Sequence, residues 1–126
     1  MSIGRELTQS ETDVIVWLLR HDFPGVQELR AQVPLTRALG SWHDDEVSLN
    51  LTVALNALAS PFPDGPVPGR AWAYDPEGNA LGTVLLWVTD GYVSAVEYGW
   101  VTDTAPIALP EVTALRDLDD HDPDAH

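Results

Sequence analysis

The chain contains no cysteine and no lysine, and only 6 of its 126 residues are basic: Arg5, Arg20, Arg30, Arg37, Arg70 and Arg116. Without thiols it can form no disulfide, no thiolate metal site and no cysteine nucleophile, although the redox compartment stays open. Against those arginines stand 20 acids, for a formal charge of −14. Nucleic acid and anionic membrane surfaces repel so acidic a chain, and scattered arginines form no basic groove for phosphates. Long apolar runs are missing too. Runs such as residues 84–88 fall far short of the roughly 20 residues a spanning helix needs. The opening MSIGRELTQSE holds no apolar core of a secretory signal. The expectation is a soluble cytoplasmic protein with neither nucleic acid nor membrane as partner. The exchange of every lysine for arginine has a plain source in GC-rich coding, which also favours aspartate; selection for an acidic surface that resists association is the alternative.

At 126 residues the chain suits a single domain with one core. Charge is uneven along it. The last ten residues, DLDDHDPDAH, hold five aspartates and no base, which leaves −9 on residues 1–116. Like charges without apolar surface predict a disordered acidic tail over 117–126 and one domain over 1–116.

Two helices are expected at the N-terminus. Thr8 with Glu11 three residues later has capping-box spacing, and Ile15, Leu18 and Leu19 then recur on one helical face. The first helix should end near His21, since Asp22-Phe23-Pro24-Gly25 is a sharp break. Val26, Leu29 and Val33 mark a short second helix that Pro34 stops. The period then changes to two. Residues 35–39 read as a strand, and Val47, Leu49, Leu51 and Val53 alternate with polar residues in a one-sided strand. Four prolines between residues 61 and 68 exclude a ladder there and predict a surface loop.

Residues 70–101 read as a meander. Asp75-Pro76-Glu77-Gly78-Asn79 is turn chemistry, and Asp90-Gly91 between β-rich runs predicts a two-residue type I′ hairpin. An unbroken ladder pairs Thr89 with Tyr92, Leu85 with Val96, Thr83 with Tyr98 and Trp72 with Gly82. Trp72, Tyr74, Val84, Leu86, Val93, Ala95 and Glu97 then share one face, and Leu85, Trp87, Val96, Tyr98 and Trp100 the other. Both faces are apolar, and two short helices cover only one of them. The fold expected is α+β, two N-terminal helices packed on a four- to five-stranded, mainly antiparallel sheet. Its structural rival is a cone-like arrangement with the sheet curved around a pocket.

The second face, with Leu85, Trp87, Tyr98 and Trp100, is the candidate binding surface or homodimer interface, because aromatic anchors dominate contact affinity. The alternative is that the proline-rich loop and the C-terminal segment cover it. Glu97 is the one catalytic candidate: among apolar neighbours a carboxyl would be desolvated, as acid–base work requires. Near the end of the sheet it could equally reach solvent or an arginine. His43-Asp44-Asp45-Glu46 supplies metal-type ligands, but adjacent residues do not converge, and no metal site is assigned. His121, Asp122 and His126 in the tail lack preorganised geometry. No P-loop, G-x-G-x-x-G or G-x-S-x-G occurs, and no cofactor is implied.

HDFPGVQELRAQ (21–32), GTVLLWVTDGYVSAVEYGWVTD (82–103) and PIALPEVTAL (106–115) resemble segments of a family of small uncharacterised α+β proteins from high-GC Gram-positive bacteria. The resemblance implies two helices, a strand meander ending in a DG hairpin, and a proline-containing finish. It implies no activity. Many relatives carry cysteines after the first strand, where this chain has Gly40-Ser41-Trp42-His43, so any role of those thiols is absent here. Two functional readings follow from the residues. One is an acidic, non-enzymatic protein-interaction module, of which an immunity protein or antitoxin would be an example. The other is a small-molecule binder or enzyme, with Glu97 acting in a sheet-lined pocket beside Trp72, Tyr74 and Trp87.

Overall fold

The computed structural model describes residues 4–41, 48–104 and 106–117. A two-residue strand, β1 (Arg5–Glu6), leads into α1 (Gln9–Leu18). Thr8 caps that helix: its hydroxyl accepts from the Glu11 amide at 3.1 Å, and Glu11 Oε1 accepts from the Thr8 amide at 2.9 Å. Glu11 also takes two bonds from the Arg5 guanidinium, at 2.9 and 2.8 Å, so one carboxylate joins the cap to the first strand. Val14, Ile15, Leu18 and Leu19 are buried at helical spacing. The helix stops at Leu18, earlier than expected, because arginines take its last carbonyls. Arg20 donates to Trp17 O at 3.0 Å and lies 3.5 Å from the centroid of the Trp17 ring, while Arg30 Nε donates to Leu19 O at 3.0 Å.

Gly25, at φ +96°, starts α2 (Val26–Gln32), which runs into a 3-10 turn over Val33–Leu35. Seven more strands follow: β2 (Thr36–Ser41), β3 (Leu49–Val53), β4 (Gly65–Pro66), β5 (Ala71–Tyr74), β6 (Ala80–Thr89), β7 (Tyr92–Trp100) and β8 (Leu115–Asp117). All pairs are antiparallel in the order β1-β2-β3-β7-β6-β5-β8, with β4 also on β6. The class is α+β as expected, but the sheet has eight strands rather than four or five. The extra ones, β1, β4 and β8, are two or three residues long and carry no alternation to read. Their existence depends on an edge to join.

The proline-rich segment corrects one expectation. Gly65 and Pro66 pair with Val88 and Trp87, and the Val67 amide donates to Leu86 O at 2.9 Å. A proline is tolerated at a short edge because only its donor is lost. Asp117 is likewise a strand residue rather than the start of the tail. It accepts from Arg20, and His21 Nε2 lies 3.0 Å away, which fastens the last strand to the end of α1. The remainder of the proposed tail, 118–126, lies outside the described residues.

The DG turn forms as expected, with Asp90 at φ 54° and Gly91 at φ 86°, and Val88–Val93 and Thr89–Tyr92 pair as read. Beyond them the ladder slips by one. Trp87 pairs with Ala95, leaving Ser94 as an unpaired bulge residue, and Leu85 therefore faces Glu97 and Val84 faces Tyr98. The Ser94 hydroxyl holds the bulge, donating to Trp87 O at 3.2 Å and accepting from Thr89 Oγ1 at 2.9 Å. A second irregularity lies between β5 and β6. Tyr74 pairs with Ala80 but Ala73 pairs with Gly82, so Trp72 meets Thr83 instead of Gly82.

Both helices cover one face of the sheet, over Val84, Leu86, Val88, Val93, Val96 and Tyr98, all buried. Among these apolar groups Gln32 is 1 % exposed and fully bonded. Its Nε2 donates to Gly91 O at 2.8 Å and Leu58 O at 2.9 Å, and its Oε1 accepts from the Val93 amide at 3.0 Å. One side chain thus ties α2, the hairpin turn and the 54–60 loop together.

Two outcomes follow. Gln32→Leu strands those backbone groups in the core and is expected to cost about 3 kcal/mol in urea unfolding. The Arg5 guanidinium holds the Glu11 carboxyl below its usual range. A carboxyl lowered by folding stabilises above its unfolded pKa of about 4.3, and that contribution is lost as pH falls through the folded value. The stability gap between wild type and Glu11→Gln should be constant from pH 7 to about 5 and shrink below about 4; a gap independent of pH would contradict it.

Candidate functional site

On β6, alternation with buried Val84, Leu86 and Val88 sends Thr83, Leu85 and Trp87 to the face away from the helices. The Ser94 bulge brings Glu97 to that same outer face, directly opposite Leu85 in the ladder. There the Trp87 indole Nε1–H donates to Glu97 Oε1 at 2.8 Å, both side chains being half-buried. The β5 irregularity adds Trp72 and Tyr74, whose ring centroids are 6.4 Å apart with planes inclined by 35°. Trp72 is flanked in the ladder by Thr83 on one side and Arg116 on the other. Arg116 Nη1 donates to Thr113 O and Leu115 O.

The expected binding set of Leu85, Trp87, Tyr98 and Trp100 is divided by this register. Leu85 and Trp87 lie on the outer face. Tyr98, 4 % exposed, is in the core beneath the helices, where burial raises its hydroxyl pKa, and Trp100 packs against that core. Trp72, expected beneath the helices, lies outside. The reason is shared: each unpaired residue inverts the facing of everything beyond it. Nothing in the local pattern announces a bulge, since Ser94 is an unremarkable strand residue.

Gly82 fits the corrected register. Its φ is +154°, and a Cβ there would come within 2.7 Å of Trp100 Cα and 2.9 Å of the Tyr98 ring. The glycine lets β6 and the two inward aromatics of β7 pack closely.

Glu97 thus has an indole donor on an open sheet face rather than apolar walls. Four clefts formed by described residues, of about 310, 380, 340 and 240 Å³, lie elsewhere, and Glu97 lines none of these four. Their locations are the groove between α1 and the start of β2, the corner of β5 and β8, the groove beside α2, and the end of β3. Among the described residues no group of three His, Asp or Glu side chains is placed to hold a metal. His43, Asp44, Asp45 and Glu46 lie outside the described residues, as do His121, Asp122 and His126. No helix of the described residues is long and apolar enough to cross a membrane.

No protein-family model, no curated protein and no solved structure matches the chain.

A conservative substitution reads how open this face is. Trp87→Phe removes the indole donor but keeps an aromatic ring, and should cost about 1 kcal/mol or less because Glu97 retains solvent. A loss near 3 kcal/mol in denaturant unfolding would mean that the face is covered.

Proposed function

We propose that the chain is an acidic, non-enzymatic interaction module that takes a basic protein on the outer face of its sheet. The observation that carries this reading is the Trp87–Glu97 pair, a carboxylate held by an indole beside Leu85 on a face that neither helix covers. An arginine or lysine entering there meets an ion-pair acceptor and aromatic rings together, a combination that favours cations. Tryptophan, tyrosine and arginine also dominate binding energy at protein interfaces. The formal charge of −14 supports the same partner class, since it accelerates encounter with a basic surface and disfavours acidic ones. Neutralising a basic protein, as an immunity protein or antitoxin does, is the role such a face suits.

The rival reading, a small-molecule site or enzyme with Glu97 as acid or base, has one observation in its favour. The bulge unites Glu97 with Trp87 on the face that also carries Trp72 and Tyr74. It also needs an enclosure, which the four clefts formed by described residues do not give Glu97.

The test is a two-dimensional NMR titration with an arginine-rich peptide and its glutamine-substituted control. Shifts should concentrate at Leu85, Trp87, Glu97 and the Trp72 and Trp87 indole N–H groups, with the control inert. Glu97→Gln should weaken binding about three- to tenfold, whereas Asp103→Asn, an exposed acid elsewhere, should change it little. Shifts scattered over all acidic surfaces, or equal affinity for Glu97→Gln, would overturn the reading.

A further inference from the structure

The cleft of about 380 Å³ at the corner of β5 and β8 is lined by both signs of charge and by apolar side chains. Two segments meet there. The turn after β5 supplies Asp75 and Pro76, while the 3-10 turn before β8 supplies Glu111 at its cap and Arg116 just beyond it. Both of the latter side chains are held. The Ser10 hydroxyl of α1 donates to Glu111 Oε2 at 2.9 Å. Arg116 Nη1 donates to Thr113 O at 3.1 Å and to Leu115 O at 2.9 Å, which fixes the guanidinium against its own turn.

Neither charge is neutralised. The partner of Glu111 is a hydroxyl and those of Arg116 are carbonyls, and among the described residues no ion pair includes either side chain. Opposite charges thus line one cleft without pairing, and both keep bonding capacity. Glu111 has Oε1, and Arg116 has Nε and Nη2, an edge of the fork that takes a carboxylate by two parallel bonds. Asp75 differs. Its Oδ1 accepts from the Glu77 and Asn79 amides at 3.0 and 2.8 Å and its Oδ2 from Asn79 Nδ2 at 3.1 Å, so this carboxylate serves the turn. Pro76, Leu81, Pro110 and Ala114 add apolar wall. The volume is near the lower end of the range for ligand pockets, roughly 300–1,000 Å³, and suits a small ligand.

We propose that this cleft binds a free α-amino acid with an apolar side chain, its carboxylate on Arg116, its ammonium on Glu111 and its side chain against Leu81 and the prolines. An anion alone would face the Glu111 carboxylate, and a cation alone the Arg116 guanidinium. A ligand carrying both charges satisfies both groups. Because each is already fixed by its own bonds, little side-chain freedom is lost on binding. A charged ligand side chain would meet proline and leucine without a partner, since Asp75 is bonded within its turn. Tyr74 belongs to this cleft as well as to the outer sheet face, but Trp87 and Glu97 do not line it. The site therefore stands without the function proposed for that face.

Two-dimensional NMR of the full chain, titrated with leucine, decides it. Saturable shifts are expected at Tyr74, Leu81, Ala114 and the Arg116 Nε–H, with the Trp87 indole and Glu97 signals unmoved. Leucinamide lacks the carboxylate and N-acetyl-leucine lacks the ammonium, so each should bind about tenfold more weakly or worse. Glu111→Gln keeps an acceptor for Ser10. Its unfolding midpoint should match wild type, its affinity for leucine should fall about tenfold, and it should no longer distinguish leucine from N-acetyl-leucine. Arg116→Gln should likewise lose the distinction between leucine and leucinamide, a readout that a merely structural role would not move. The absence of saturable shifts up to about 10 mM leucine overturns the proposal. Either blocked analogue binding as tightly as leucine overturns it too. Shifts centred on Trp87 and Glu97 would also overturn it, by moving the ligand to the outer face. The arginine-rich peptide is read at those two residues, so its titration can fail while this one succeeds.

Discussion

A strand has two faces and side chains alternate strictly between them, so one unpaired residue reverses the facing of everything after it. Ser94 is that residue. Its hydroxyl bonds to Thr89 and to the Trp87 carbonyl stabilise the bulge, and the rest of the central hairpin follows. Val93 and Val96 both turn toward the helices, Tyr98 and Trp100 join the core, and Glu97 leaves it. An unbroken ladder would place the Glu97 carboxylate beneath α1 and α2, where an unpaired charge is costly. The irregularity between β5 and β6 does for Trp72 what Ser94 does for Glu97.

The sheet is joined across its middle by a narrow contact: among the described residues β7 pairs with β3 at Val96–Leu49 and Ala95–Asn50. On either side of that contact a β7 amide is met by a side chain instead of a strand carbonyl. Gln32 accepts from Val93, and the Ser48 hydroxyl accepts from Tyr98 at 2.9 Å. Buried polar groups that are fully paired rigidify a core, whereas the same groups half-paired would destabilise it. Gln32 thus makes α2 part of the sheet's hydrogen bonding as well as its cover. With both helices committed to one face, no helix of the described residues covers the other.

Two surfaces of opposite electrostatic character result. The outer face sets a carboxylate among tryptophan and leucine side chains, and so combines attraction for a cation with apolar area. The turn that carries Leu55 and Leu58 is apolar and almost uncharged. The first is the surface that the proposed basic partner would meet.

Local chemistry was legible in the residues themselves. The Thr8–Glu11 cap, the break at Pro24-Gly25, the Asp90-Gly91 turn and the α+β class depend on neighbours a few positions apart, and each can be read without knowing the fold. The unequal distribution of charge, and the absence of thiol chemistry, needed no structure either. Tertiary structure alone decided the three shortest strands, the two slips of register and therefore which aromatics face inward. Edge strands form only where a neighbour offers unpaired backbone, and a bulge forms where packing of distant side chains gains more than a ladder bond costs. The site was half visible for that reason: Leu85, Trp87 and Glu97 could be named from the chain, but that Trp87 and Glu97 touch could not.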